Sequence, residues 1–322
     1  MRIIAFLVII YSIASILFSW WHFSSYRKVQ LEAHQNQQLL VAQNTINKID
    51  RFLQSQIIML NVLASNISDE SENQKLNEER LKELHLNSGT WESIVTTNVE
   101  GKIISTTNPT LKGNLVTTDS ELVENFISLK SGQQSYTDQF NSKLLKKPTM
   151  AIIIPLRDET KLDNPLIGAI VGYISWPVLE ETLNQSDGES ILVTANGRFI
   201  GANESVKALN IFPLSSEIVT SEYLRQNQGS RSISGNESLF KKTSYQTIVP
   251  QLGFGNFKGN NWYILTEKSV ADLYGDSNRS LLLETLIFTL MVFVILFVIS
   301  FILNYLDGKI KKRFRKSEMM DI

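Results

Sequence analysis

Cysteine is absent from this chain of 322 residues, and histidine occurs only three times. Without cysteine the chain can form no disulfide framework and no thiolate metal site, and it has no thiol nucleophile. The histidines are His22, His34 and His85, and none is placed with a plausible nucleophile. No phosphate-binding loop, zinc-ligand spacing or nucleophile elbow occurs either. We therefore expect this chain not to be an enzyme and to hold no metal and no cofactor.

An excess of charge of one sign is also missing. The chain has 31 Lys and Arg residues against 32 Asp and Glu residues, for a formal net charge of −1. Nucleic-acid-binding domains carry clustered positive charge on one face. The sequence therefore does not predict a nucleic-acid partner.

Two runs of apolar residues are long enough to cross a bilayer, for which about 20 apolar residues suffice. The first is Ile3 to Phe23, with Trp20 and Trp21 at its outer end, and the second is Leu281 to Leu306. The alternative for the first run is a cleaved signal peptide, but no Ala-x-Ala site follows it. We predict two transmembrane helices, at 1–23 and 281–306.

The orientation follows from the cations, because the loops on the cytoplasmic side of a membrane are enriched in Lys and Arg. Six of them lie in the tail at 307–322, namely Lys309, Lys311, Lys312, Arg313, Arg315 and Lys316. This tail is predicted to be cytoplasmic, and two spans place the N-terminus on the same side. Residues 24–280 should then be periplasmic or extracellular, on a protein of the bacterial inner membrane.

Proline and glycine are absent from 24–88, so a long helix can run from the first span to about Ile67. One stripe of this helix has apolar residues at alternating spacings of three and four: Leu39, Ala42, Ile46, Ile49, Leu53, Leu60, Leu63 and Ile67. Such a stripe packs on its own domain or forms a parallel homodimer with a second copy, and both can hold on different faces of the helix. The charged stretch from Asp69 to Glu83 is expected to be a solvated connection.

The remaining exported part contains one kind of unit twice, at 89–186 and 187–275. Glu92-Ser-Ile-Val-Thr-Thr97 followed by Gly101 resembles Glu189-Ser-Ile-Leu-Val-Thr194 followed by Gly197. In the first unit the hairpin is followed by a predicted helix from Thr117 to Lys130 and three β-like runs, Gln134 to Phe140, Thr149 to Leu156 and Leu166 to Trp176. The second unit repeats this order in less space. The fold class predicted is α+β, with a long N-terminal helix and two antiparallel-sheet modules flanked by two transmembrane helices.

This order of elements resembles the extracytoplasmic double Cache sensors of bacterial receptors, which are tandem PAS-like ectodomains. The similar segments are Ser135-Tyr-Thr-Asp138, Met150-Ala-Ile-Ile-Ile-Pro155, Ile167-Gly-Ala-Ile-Val-Gly-Tyr-Ile-Ser175, Leu192-Val-Thr-Ala-Asn-Gly-Arg198 and Asn261-Trp-Tyr-Ile-Leu265. The resemblance makes 89–186 the membrane-distal module, which usually holds the ligand, and 187–275 the membrane-proximal module.

The resemblance also implies a ligand-binding set of Tyr136, Asp138, Tyr173 and Ser175. Tyr136 falls on the tyrosine of the family's Tyr-x-Asp strand, whereas Tyr173 stands where amino-acid-binding members have an aspartate. Their arginine also has no clear counterpart between Leu122 and Gln133. A neutral or aromatic-tolerant ligand, or no ligand, is therefore favoured over an amino acid. The alternative is that Tyr136 and Tyr173 are core residues with satisfied hydroxyls.

The leading functional hypothesis is the ligand-sensing region of a transmembrane receptor. A small molecule or a periplasmic protein would shift the membrane-distal module, and the two membrane helices would carry the change inward. Only sixteen residues follow Leu306, so an output domain of the diguanylate cyclase or histidine kinase type is expected elsewhere. The rival is a non-signalling membrane-anchored adaptor that binds a periplasmic protein.

Overall fold

The computed structural model describes residues 2–67, 74–129, 132–158, 161–185, 188–213 and 216–318. They form an α+β protein that divides into two compact units. One unit comprises residues 37–268 and contains both sheets. The other combines 1–36 with 269–322 and is helical in its described part.

Seven α-helices and eleven strands are found in the described residues. The helices are α1 (Arg2–Ala64), α2 (Gln74–Ser88), α3 (Val123–Ser128), α4 (Trp176–Glu181), α5 (Glu204–Leu209), α6 (Ser221–Gln226) and α7 (Val270–Glu318). The strands are β1 (Trp91–Asn98), β2 (Ile103–Thr106), β3 (Ser135–Tyr136), β4 (Phe140–Ser142), β5 (Lys147–Arg157), β6 (Leu166–Ser175), β7 (Glu189–Val193), β8 (Phe199–Ala202), β9 (Gly229–Ile233), β10 (Ser244–Pro250) and β11 (Tyr263–Ser269).

The two sheets have the same strand order. The first runs β2-β1-β6-β5-β3, with β4 also paired to β5, and the second runs β8-β7-β11-β10-β9. In the first sheet β1 lies beside β6, which leads into α4. In the second sheet β7 lies beside β11, which leads into α7. This repeated topology agrees with the predicted repetition of one unit. We call the part of the chain that forms the first sheet, β1 to β6, the first module, and the part that forms the second sheet, β7 to β11, the second module.

The apolar stripe of α1 packs on its own domain. Ala42, Ile46, Ile49, Leu53, Leu60 and Leu63 are all buried in one cluster with residues of both sheets, and Leu39 and Ile67 pack against its edge. Gln56, the polar residue that interrupts the stripe, is also buried, and its Oε1 accepts a hydrogen bond from Thr90 Oγ1 at 3.0 Å. These side chains form the module core and are not available as a dimer interface, and a homodimer through another face of α1 stays a prediction.

A close approach of α1 to β6 explains a glycine in the middle of that strand. A Cβ atom on Gly172 would lie 2.5 Å from the Trp91 ring and 2.8 Å from Leu60 Cδ1. Real Cβ atoms do not tolerate such distances, so only glycine lets the helix and the indole pack directly on the backbone. The Gly-punctuated strand in the sequence thus marks where α1 contacts the sheet.

The loop between β10 and β11 docks on α1 through polar contacts. Asp50 accepts hydrogen bonds from Gln251 Nε2 at 2.6 Å and Gly253 N at 2.8 Å, and Gln54 Oε1 accepts one from Phe257 N at 2.7 Å. Burial raises the pKa of Asp50, and these donors oppose the shift. The long helix therefore contacts the second module as well as the first.

Three local predictions were wrong. The predicted helix from Thr117 to Lys130, whose last residue lies outside the described part, is broken into two 3₁₀ turns, at Val116–Thr118 and Ser120–Leu122, and the short α3. The predicted strand from Gln134 to Phe140 is split into β3 and β4. The stretch expected as a solvated connection forms much of α2, where Asn77 and Leu81 are buried. Within that stretch, residues 68–73 lie outside the described residues.

One helix among the described residues is long and apolar enough to cross a membrane, namely Leu282–Leu303 within α7. None of it is buried within the protein. Phe18 of α1 packs near Phe288 of α7, with ring centroids 6.1 Å apart. The other predicted span, at 1–23, lies in α1, but the side chains of residues 1–12 are outside the described part. A second span therefore stays a prediction.

Candidate functional site

The first sheet has two buried faces. Met150, Ile152 and Ile154 of β5 point to the α1 side, whereas the alternating residues Ala151 and Ile153 point to the other side. That second face is covered by the segment from Leu111 to Leu129, which we call the lid. Four lid side chains are buried in the cluster on this face: Leu111, Val116, Leu122 and Leu129.

Tyr173 lies under the lid on β6. Its side chain is fully buried, and its hydroxyl has no hydrogen-bond partner among the described residues. Burial raises the pKa of this phenol well above its usual range, and the nearby negative charge of Asp119 raises it further. The hydroxyl is therefore neutral and able both to donate and to accept a hydrogen bond. A buried polar atom without a partner is unusual in proteins and marks a candidate site.

Asp119 comes from the lid itself and is fully buried. Its carboxylate accepts hydrogen bonds from Ser142 Oγ at 2.7 Å, Lys143 N at 2.5 Å and Leu144 N at 3.4 Å. These donors belong to β4 and the turn before β5, so Asp119 ties the lid to the sheet. Because three donors already occupy its oxygens, this carboxylate has little hydrogen-bonding capacity left for a ligand ammonium group.

Gln139 is a second polar side chain without partners. It is fully buried, and neither Oε1 nor Nε2 has a hydrogen-bond partner within the described part of the chain. It directly precedes Phe140, which is buried in the same cluster as Tyr173. Two buried polar groups in this part of the module therefore remain unsatisfied.

Tyr136 lies on the opposite face of the sheet from Tyr173. It pairs with Ile152, and its ring packs on Phe257 of the second module with ring centroids 4.9 Å apart. Its hydroxyl is 3.4 Å from Gly259 O, to which it donates. Burial raises the pKa of Tyr136 too. The two tyrosines of the predicted binding set therefore do not line one pocket.

Asp138 also points to the second module. Its Oδ1 accepts a hydrogen bond from Trp262 Nε1 at 2.8 Å, and its Oδ2 forms an ion pair with Arg198 at 3.2 Å. Asn260 Nδ2 lies 3.5 Å from Oδ1. The Tyr-x-Asp strand of this chain thus forms a junction between the two modules.

Ser175 is the last residue of β6 and donates a hydrogen bond to Glu92 at 2.8 Å. Lys147 pairs with the same carboxylate at 2.7 Å. Burial would raise the pKa of Glu92, but the hydrogen bonds from Lys147 and Ser175 lower it below its ordinary value. Of the predicted set, only Tyr173 has a polar group left without a partner under the lid.

Asp119 and Gln139 were missed by sequence reasoning. Asp119 precedes a helical segment, where an aspartate normally caps the helix. Its side chain makes no such cap bond and instead bonds to residues 23 to 25 positions later. No short-range signal in the sequence indicates that contact. Among the described residues, no group of three or more His, Asp or Glu side chains could hold a metal ion.

The sequence profile of the double Cache family, described as "Cache domain", matches residues 25–277. This match covers well over half of the chain. The protein belongs to the Cache domain family. A comparison with curated proteins finds no match.

Solved structures of chemoreceptor sensor domains share this fold. The sensory domain of the Campylobacter jejuni chemoreceptor CcmL, with isoleucine bound, is 12% identical with a TM-score of 0.59, and the match covers 76% of this chain and 96% of that one. The ligand-binding domain of Pseudomonas fluorescens CtaA, in complex with L-isoleucine, is 16% identical with a TM-score of 0.56, covering 78% and 98%. That of Pseudomonas aeruginosa PctC, in complex with GABA, is 16% identical with a TM-score of 0.53, covering 73% and 100%.

Proposed function

We propose that this protein is the ligand-sensing region of a transmembrane signalling receptor, and that the first module binds a small molecule beneath its lid. The family match makes the chain a Cache sensor, a class of domain that is non-catalytic. The observation that carries the proposal is the fully buried Tyr173 hydroxyl without a hydrogen-bond partner. A ligand that hydrogen-bonds to this hydroxyl would remove the free-energy cost of burying it without a partner.

The surroundings of this hydroxyl favour an uncharged ligand with one hydrogen-bonding group and an apolar body. The cluster around Tyr173 is aliphatic or aromatic apart from a few polar groups. The Asp119 carboxylate already accepts hydrogen bonds from three donors, which leaves it little capacity to bind an ammonium group. The relatives' amino acids are therefore not the ligands that this site favours.

The lid supports a mechanism for ligand entry. It contains two 3₁₀ turns of three residues each and a helix of six. Such short elements are held mainly by packing and open at lower free energy than long helices or central strands. Opening would break the bonds from Asp119 to the β4–β5 turn, and a ligand would shift the balance between open and closed lid.

The signal is proposed to leave the first module through β6. This strand contacts α1 at Gly172 and continues directly into α4, whose Trp176 packs on Trp262 of the second module with ring centroids 5.9 Å apart. The last strand of the second module, β11, continues directly into α7. We propose that residues 24–280 are extracytoplasmic, that both termini are cytoplasmic, and that the output is of the diguanylate cyclase or histidine kinase type.

The test is a thermal-unfolding screen of the full chain in nanodiscs against a library of small metabolites. A compound that binds the native state raises the unfolding midpoint by mass action. We expect at least one uncharged compound to stabilise the wild type and to lose this effect in Tyr173→Phe.

The matched control is Tyr263→Phe, which removes a hydroxyl from a partly buried tyrosine at the core of the second module. This variant should respond like the wild type. A screen without any stabilising compound, or a compound that stabilises Tyr173→Phe equally, would contradict the proposal. The first of these outcomes would favour a membrane-anchored adaptor that binds a protein partner.

A further inference from the structure

A row of polar side chains crosses three neighbouring strands of the second sheet. Arg231 of β9 lies directly opposite Gln246 of β10, so their side chains share one face. Gln246 Nε2 donates to Glu267 Oε1 of β11 at 2.9 Å. Ile248 and Leu265 lie two residues away from Gln246 and Glu267, and both belong to the core of the second module. This row therefore lies on the core face of that sheet.

The position of the row matches that of the candidate site in the first module. Glu267 is two residues before the end of β11, where the strand enters α7. Tyr173 is likewise two residues before the end of β6, where that strand enters α4. Because the two sheets have the same strand order, these two positions correspond. Both are occupied by a buried side chain with a polar group.

The carboxylate in the row is fully satisfied. Glu267 accepts hydrogen bonds from Ser238 Oγ at 2.6 Å, Leu239 N at 3.2 Å and Ser244 Oγ at 3.3 Å, in addition to that from Gln246. Four donors occupy its two oxygens, so it offers little to a ligand cation. Its role is to fix the position of Gln246.

The guanidinium group of Arg231 has a donor left over. Its Nη2 donates to Tyr223 Oη at 2.9 Å and lies 3.4 Å from Gln246 Oε1. The cationic carbon lies 5.2 Å from the centre of the Tyr223 ring, a cation–π contact that ties the group to α6. Its Nε is buried and has no hydrogen-bond partner among the described residues. An oriented guanidinium with a free N–H group is the usual receptor for a carboxylate.

Arg231 lies on an edge strand of the second module. The strand β9 is at the edge of the second sheet, and the Arg231 side chain is only partly buried. A small anion would therefore approach the guanidinium from this edge of the sheet. Gln246 of β10 lies between Arg231 of β9 and Glu267 of β11, so the carboxylate is one strand away from the guanidinium.

We propose that the second module holds its own binding site for a small carboxylate-bearing molecule, with Arg231 as the anchoring residue and Tyr223 and Gln246 as the residues that orient it. This site is separate from the one under the lid of the first module. A receptor with both sites would respond to an uncharged ligand and to a carboxylate through different modules.

The test measures the unfolding midpoint of the full chain in nanodiscs with acetate, succinate or benzoate, each against sodium chloride at equal ionic strength. We expect at least one of these carboxylates to raise the midpoint by about 2 °C or more at saturation. The corresponding amide, which has no charge, should have no effect. The proposal is wrong if none of the three carboxylates stabilises the wild type.

Substitutions test whether the stabilisation by carboxylates depends on Arg231. Arg231→Gln should abolish the stabilisation. The matched control is Arg225→Gln, which removes the same charge from an exposed position on α6, where the guanidinium Nε lies 3.4 Å from Ser221 O of the same helix. Arg225→Gln and Tyr173→Phe should both keep the response. Retention in Arg231→Gln, or loss in Tyr173→Phe, would overturn the proposal.

A third variant covers the case in which Arg231→Gln does not fold. Arg231→Lys keeps the positive charge and most of the apolar stem but loses the planar fork, so it should bind the carboxylate about tenfold more weakly. Equal affinity of Arg231→Lys and the wild type, measured by calorimetry, would show that the fork makes no contact and would also overturn the proposal.

Discussion

Buried polar residues of this chain fall into two groups. Asp119 and Glu267 are fully supplied with donors and fix local structure. Tyr173 and Gln139 are buried without partners in the described part of the chain. An unsatisfied buried polar atom costs about 1–3 kcal/mol, which a protein tolerates where function needs it. The second group is therefore where ligand chemistry is expected.

The hydroxyl of Tyr173 should contribute nothing to the stability of the ligand-free protein. Replacing it by Phe removes an unpaired buried oxygen and leaves the ring packing intact. We expect the free energy of unfolding of Tyr173→Phe to be unchanged or raised by about 1 kcal/mol, as measured by chemical denaturation. A loss of stability would show that the hydroxyl has a partner and is structural.

The ion pair of Glu92 should make stability depend on acid pH. The pKa of Glu92 is lowered in the folded protein from its ordinary value of 4.5, so its stabilisation is present above that pH and is lost as the pH falls through the folded-state pKa. Because the Lys147 partner is well exposed, the effect should be below about 1 kcal/mol.

The difference in unfolding midpoint between wild type and Glu92→Gln should thus be largest near neutral pH and disappear in acid. Glu79→Gln, at an exposed position of α2, is the control and should show no pH-dependent difference. A Glu92→Gln difference that stays constant from pH 7 to below the folded-state pKa would contradict the assignment.

At the level of elements, the part of α1 from residue 37 onward is central to the compact unit of residues 37–268, which we call the sensor unit. One stripe of this helix is buried against both sheets, while the opposite side carries exposed apolar residues such as Val62. Most of the stability of such a helix comes from the packed face. Substitutions on the two sides of α1 should therefore differ sharply.

Leu53→Ala should lower the free energy of unfolding by about 2–5 kcal/mol, because Leu53 is fully buried and its truncation leaves a cavity. The control is Val62→Ala on the same helix, where the side chain is 59% exposed and the change should stay within about 0.5 kcal/mol. Chemical denaturation of both variants measures the difference. Equal losses for the two would contradict the packing of this stripe.

How far the sequence predicted the elements depended on their length and periodicity. The long helix, the hairpins and β5 and β6 follow regular apolar patterns that a reader can extract from the sequence. The lid could not be predicted, because its 3₁₀ turns are fixed by contacts such as that of Asp119 with Ser142. The face of the sheet on which Tyr136 lies could not be predicted either, because its ring packs on Phe257, a residue far along the chain.

At the level of the whole molecule, the two modules of the sensor unit meet at Asp138. Trp262 is fully buried, and its indole N–H donates to Asp138. Arg198 forms an ion pair with the other oxygen of Asp138, and the side chains of both residues are more than one-third exposed. The indole bond should therefore matter more to stability than the ion pair does.

Asp138→Ala leaves the buried Trp262 N–H without its acceptor and should cost about 1–3 kcal/mol. Arg198→Ala removes only the exposed ion pair and should cost less than about 1 kcal/mol. Both values follow from denaturation of the full chain. A larger loss for Arg198→Ala than for Asp138→Ala would reverse this view of the junction.

The most direct test of ligand sensing by the first module is hydrogen exchange, measured by mass spectrometry on the full chain with and without the compound that stabilises it most. Ligand binding under the lid should slow exchange in residues 111–129 and in β6, because both would be held closed. Protection confined to the second module, or no protection in the lid, would contradict the account.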